Sequence, residues 1–242
     1  MNSTVTQLTW RSLLGRRRAL LLMALPAILL LLAVVVRLAH GQDAQAAVNL
    51  LGAFALGFLV PLICLIAGTG SIGPEIDDGS IMYLLAKPLS RPSIVHSKLL
   101  VAVAVASLFG AVPTLFAGLV VAGGDAHVAL GYAVGALLAG IAYSALFLLL
   151  AIVTRNAVVV GLLYALVWET VVGGYVPGAQ ALSIQQWSLA VTEKIIGSPA
   201  HDLQVDSAVS LPTGLVLLVV VTVAATVYGG RRLRSIRITS DE

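Results

Sequence analysis

Six long apolar runs, each bounded by glycine, proline or charge, leave this chain few folds to choose from. They occupy residues 19–36, 48–72, 99–122, 128–153, 157–175 and 211–228. At 1.5 Å per residue, a run of about 18–25 residues crosses a hydrocarbon core of about 30 Å. Inside lipid every backbone polar group must be satisfied within the protein, so runs of this length are expected as helices. Only 10% of the 242 residues are charged, against about 25% in soluble domains. The expected fold class is an all-α membrane protein with six transmembrane helices over residues 19–228.

Lysine and arginine set the orientation. With the N-terminus inside, the inner segments hold Arg11, Arg16, Arg17, Arg18, Lys87, Arg91, Lys98, Arg155, Arg231, Arg232, Arg234 and Arg237, and the outer segments hold only Arg37 and Lys194. Dropping any one run would scatter these charges over both faces. The bias therefore supports an even number of spans, with N- and C-termini cytoplasmic. Residues 1–18 set Val5, Leu8, Trp10, Leu13 and Leu14 among polar residues and end on three arginines. That pattern fits an amphipathic helix lying in the cytoplasmic interface. A signal peptide also carries basic residues before an apolar run, and Ala44-Gln45-Ala46 resembles a cleavage site. The run 19–36 is longer than a signal core of roughly 7–15 residues, so an uncleaved anchor is expected. The tail 229–242 reads as a basic anchor on anionic lipid rather than a nucleic-acid site.

Two connections carry most of the information. The loop 73–98 is charged and punctuated between apolar runs. Pro74 and Gly79 are expected to break what precedes, and Ser80 can cap a short helix. Ile81, Leu84 and Leu85 then share one face, at spacings of three and four. Pro88 stops the helix, because proline disfavours a helical conformation in the residue before it. A helix too short to span, placed in the cytoplasm, is suited to docking on something outside the bilayer. The outer segment 176–210 is too polar to span and too apolar for a free loop. Short re-entrant helices dipping into the outer interface fit it, with Trp187 as an interfacial anchor. Gly131 and Gly135 form a small-xxx-small pair suited to close helix contact.

Glu169 is the one carboxylate inside an apolar run, roughly 18 Å up the fifth helix from Ala157. Intramembrane acids are costly and usually face a bundle interior or a cavity. Glu169 is therefore read either as a group facing a substrate path or outer gate, with Tyr164 and Trp168, or as a carboxylate bonded to a neighbouring or outer helix. Glu75, Asp77 and Asp78 open the cytoplasmic loop without a partner base or a metal set; charge complementarity with a docked partner, or with Lys87 and Arg91, explains them better. The single cysteine, Cys64, lies in an apolar run and is expected as packing. The four histidines show no ligand spacing. No Gly-x-x-x-x-Gly-Lys-Ser/Thr loop, Gly-x-Ser-x-Gly elbow or His-Glu-x-x-His helix occurs, so no P-loop ATP site is expected on this chain.

The stretch from Glu75 to Arg91, with its Leu-Leu-Ala-Lys-Pro-Leu-Ser-Arg run, followed by Lys98, resembles the signature of permease subunits of type-2 ABC (ATP-binding-cassette) transporters. Tyr164-Ala-Leu-Val-Trp-Glu169, then Pro177-Gly178 and Leu182-Ser183, resembles that family's fifth span and outer region. The resemblance implies two paired permease chains, the same or homologous, each resting on a separate ATPase subunit that binds ATP and Mg. It implies a coupling helix over Ser80–Lys87, with Glu75, Ser80, Ile81, Leu84, Leu85, Lys87 and Arg91 as ATPase-coupling residues. It also implies that the chain is not itself catalytic and holds no cofactor, and that it works as an exporter subunit in the plasma membrane of a prokaryote. Two other readings stay open. One is an ion- or proton-coupled carrier, which usually keeps several ionisable groups near the midplane. The other is a non-transporting membrane scaffold.

Overall fold

The computed structural model describes residues 16–78, 91–123, 126–172 and 178–235. Among them the regular structure is entirely helical. Helix α1 is Arg16–His40. Helix α2, residues 44–77, joins Ala44–Leu50, a π-helical stretch Leu51–Leu59, and Val60–Asp77. Helix α3, residues 91–122, joins Arg91–Ala106, a π-helical turn Ser107–Ala111, and Val112–Ala122. Helix α4 is Ala126–Val153. Helix α5, residues 157–172, begins as Ala157–Leu163 and continues in π winding over Tyr164–Val172. A 3-10 turn, Ala179–Leu182, leads into α6, Ile184–Ile196; then come α7, Pro199–Asp202, and α8, Leu211–Ser235.

Among the described residues five helices are long and apolar enough to cross a bilayer: α1, α2, α3, α4 and α8. Helix α5 is a shorter apolar helix as far as it is described. The expected interfacial helix over residues 1–18 and the tail beyond Ser235 lie outside the described residues; Arg16, Arg17 and Arg18 already belong to α1.

The spans outrun their apolar cores. Pro74 was expected to end the second run, yet α2 carries it inside and continues to Asp77. An interior proline loses its own N–H donor and crowds the carbonyl four residues back, but the last turn still closes, with Asp78 N–H donating to the Pro74 carbonyl at 2.9 Å. Pro61 and Pro113 each sit just after a π stretch, in the first turn of the α-helical segment that follows. The wider winding takes up the register break at those two prolines.

Two ends of the bundle can be told apart. At one, Leu21 of α1, Pro74 of α2 and Thr154–Val159 between α4 and α5 surround a cavity of about 400 Å³. Ile72, Val95, Ile152, Ala157 and Leu233 pack together nearby. This end gathers Arg155, Arg231 and Arg232. At the other, Arg37 donates to the Val120 carbonyl at 2.8 Å and Gln45 to Leu203 at 3.3 Å. Arg37 and Lys194 lie here. The two ends therefore separate residues that the charge pattern assigned to opposite faces.

Helix α6 lies inside the bundle rather than on it. Gly131 and Gly135 of α4 are its bed: a Cβ at Gly131 would stand 3.1 Å from Ile196 and from the Thr192 carbonyl, and one at Gly135 would overlap Thr192 Oγ1. The small-xxx-small pair thus serves a contact within the chain. Thr192 Oγ1 donates to the Gly131 carbonyl at 3.1 Å. Trp187 is buried rather than interfacial: its Nε1–H donates to Ala181 at 2.7 Å, and its backbone approaches Gly214 of α8. We expect Gly135→Val to cost about 1–3 kcal/mol by overpacking, read as a lower melting temperature in detergent. Gly73→Ala, where a Cβ meets nothing within 4 Å, is expected to be neutral.

Candidate functional site

Two buried, charge-bearing sites stand out among the described residues. The inner one closes the ends of α2 and α3. Lys98 sits two turns into α3, and its side chain is fully buried. Its ammonium donates to Glu75 Oε1 at 2.8 Å and to the Ser71 carbonyl at 2.6 Å. Glu75 is 31% exposed, so the pair spans the boundary between protein interior and solvent. The segment 79–90 runs between the helix ends that this clamp holds. Ser80, Ile81, Leu84, Leu85 and Lys87 lie in that segment, outside the described residues. Arg91 opens α3, and Asp77 closes α2.

The outer site is built on α5. Tyr164 and Glu169 are five residues apart, which in an α-helix sets them about 140° apart around the axis. The π winding between them brings i and i+5 closer together, and the Tyr164 hydroxyl donates to Glu169 Oε1 at 2.8 Å. Three further donors converge on the same carboxylate. Ser183 Oγ–H donates to Oε2. The backbone N–H of Ile184 reaches Oε1 at 3.1 Å, and that of Gln185 reaches Oε2 at 3.3 Å. Glu169 has no exposed surface.

The four partners are all donors, the set that suits a carboxylate acting only as acceptor. Its position also answers a second need. The N-terminus of α6 is buried at membrane depth, where free amides and the positive end of the helix dipole have no water to meet. Ser183 caps Gln186 N–H at 3.3 Å, and Glu169 supplies the charge. Gln185 adds a tie from its side chain to the Gly52 carbonyl of α2 at 3.3 Å. The carboxylate is therefore a latch between α5 and the re-entrant α6. Trp168 lies half-buried beside it.

Sequence reasoning grouped Tyr164, Trp168 and Glu169 but left Ser183 and Lys98 without roles. The signals were present: a serine directly before a periodic helix is a cap, and a lysine at the very edge of an apolar run is placed to need an acid.

An all-helical bundle of several apolar spans, with the shorter α6 meeting a buried carboxylate, is a multi-pass membrane protein. The chain belongs to the ABC-2 family of transporter proteins: that family's model matches residues 9–233, nearly the whole of its length. Among curated proteins, none matches the chain.

Proposed function

We propose that this chain is the permease subunit of an ATP-driven exporter in the plasma membrane of a prokaryote. It pairs with a second permease chain, its own copy or a homologue, and rests on two ATPase subunits that supply ATP and Mg. An N-terminal interfacial helix ahead of Arg16, where α1 begins, and both termini lie in the cytoplasm. Family membership over residues 9–233 carries this reading. The clamp at Lys98 supports it, because it makes the ends of α2 and α3 one unit at the base of the loop that would meet the ATPase. Ser80, Ile81, Leu84 and Leu85 form the coupling helix, flanked by Glu75, Lys87 and Arg91. An apolar face projecting beyond the bilayer favours a protein groove as host.

The test is co-expression with the ATPase encoded beside the gene. The two are expected to co-purify, and the permease to change the ATPase's hydrolysis rate in proteoliposomes. Leu84→Asp is expected to lower co-purification at least tenfold while membrane insertion stays intact. An ATPase that ignores the permease overturns the reading.

A further inference from the structure

We infer that the cavity at the inner end of the bundle binds an anionic phospholipid of the inner leaflet, with its phosphate on Arg155 and an acyl chain against Leu21, Val158 and Val159. The inference rests on the orientation given under the proposed function, and not on transport or on the ATPase.

The cavity measures about 400 Å³ and lies among α1, α2, the end of α4 and the start of α5. Small-molecule sites run from about 300 to 1,000 Å³. Toward the outer side it is closed by a tight contact. A Cβ at Gly161 of α5 would overlap Leu65 of α2 and stand 3.1 Å from Phe147 of α4. Helix α5 is thus pressed onto its neighbours about one turn after it begins. Before that contact, space is left between Val158, Val159 and Leu21. All three are more than half exposed, so the cavity opens to the side, between α1 and α5. Gly73 borders it, and a Cβ there meets nothing within 4 Å.

The lining changes character along the bundle axis. Leu21, Leu65, Ile66, Val158 and Val159 give it apolar walls. The two threonines among them turn their hydroxyls to their own helices. Thr69 donates to the Leu65 carbonyl at 2.6 Å, and Thr154 to the Leu150 carbonyl at 3.1 Å. Arg155 and Asn156 form the inner rim, both exposed. Among the described residues no carboxylate lines the cavity. Lys98, at the same end of the bundle, is paired with Glu75. Arg155 has no such acid among the described residues. Asn156 gives α5 no side-chain cap, so its amide is also at hand for a ligand. Guanidinium presents a planar fork that matches phosphate, and basic pockets between spans on the cytoplasmic side suit anionic headgroups. Apolar walls that end on an unpaired arginine are the complement of an anionic phospholipid. A free anion leaves those walls unused, and a zwitterionic lipid brings its own cation to Arg155.

The experiment uses the full chain, purified and delipidated in detergent. It is offered phosphatidylglycerol or phosphatidylcholine with the same acyl chains, and bound lipid is counted by native mass spectrometry. The parent is expected to keep one phosphatidylglycerol, about fivefold in preference to phosphatidylcholine, the worth of one basic group at a membrane surface. Arg155→Gln should erase that preference. Its lipid-free melting temperature should stay with the parent, because the side chain is exposed. Gly73→Leu fills the cavity from α2 and should abolish retention of both lipids. Val159→Trp fills the same space from α5 and should do likewise. Inorganic phosphate should not displace the lipid; displacement would make this a site for a free anion and overturn the inference. Equal binding of the two lipids by the parent overturns it too, as does a preference that survives Arg155→Gln. A Gly73→Leu variant that sheds a second copy of the chain instead of lipid would make the cavity a subunit interface, which also overturns it. The exporter reading fails separately, in the co-purification with the ATPase.

Discussion

Glu75→Ala is expected to lower the melting temperature by roughly 10 °C, while Lys98→Met at the same clamp is expected to cost little. The asymmetry follows from burial. Lys98 is fully enclosed, whereas Glu75 keeps 31% of its side chain in solvent. Removing the carboxylate leaves an ammonium inside the bundle, still donating to the Ser71 carbonyl but without its counter-charge. Breaking a buried pair in this way costs about 3–5 kcal/mol, and in a chain of this size each kcal/mol moves the midpoint by about 2–4 °C. Lys98→Met removes the charge itself, keeps most of the aliphatic stem, and lets Glu75 turn to water. Glu75→Ala combined with Lys98→Met should therefore be more stable than Glu75→Ala alone. Thermal unfolding of the four proteins in detergent gives the full cycle. A double variant as unstable as the Glu75 single variant would show that Lys98 is not stranded, and the clamp would lose its physical basis.

The spans were legible because lipid asks one simple thing of a sequence, an apolar length, and the runs supplied it. Their ends were not, because polar residues at a helix end are held by partners far away in the chain. Pro74 reads locally as a breaker; the tertiary pull of Lys98 on Glu75 and Ser71 keeps the helix going beyond it. Lys98 and Glu75 are 23 residues apart on different helices, and no spacing rule for a single helix pairs them. The outer segment read as interfacial because Gln185, Gln186, Ser188 and Glu193 look too polar for the interior. Ser188 and Thr192 are in fact absorbed by helix backbone, Glu193 by Ser207, and Gln185 by Gly52. The π winding was invisible for a related reason. Apolar periodicity records which face is buried, and α5 is apolar on nearly every side, so a change from 3.6 residues per turn leaves no trace. Glu169 alone announced the site, by being costly where it stands.

That cost gives the other large expectation. Glu169→Ala is expected to destabilise the chain by roughly 2–5 kcal/mol, since each buried donor left without an acceptor costs about 1–3 kcal/mol and some of the four can find other partners. Two hydroxyl donors and two backbone amides lose their acceptor at once, at a depth without water. Glu169→Gln is the sharper probe, since it keeps the shape. Its amide retains one oxygen for two of the donors, but its NH2 faces the others. Ser183 Oγ can rotate to accept from it; the amide of Gln185, which shares Oε2 with Ser183, cannot. One buried donor left unmet costs about 1–3 kcal/mol, so Gln is expected to fall between the parent and Ala. Ser183→Ala removes one donor and leaves the carboxylate three, and should cost about 1 kcal/mol. The order parent, Ser183→Ala, Glu169→Gln, Glu169→Ala is thus fixed by counting donors and acceptors. Melting temperatures in detergent give one reading of that order. Cysteine labelling at Leu182, on the turn that Glu169 holds down, gives a second that tracks the outer segment itself. If Glu169→Ala melted with the parent and left Leu182 no more reactive, the carboxylate would not be latching α6. The outer segment would then be held by the glycine bed of α4 alone.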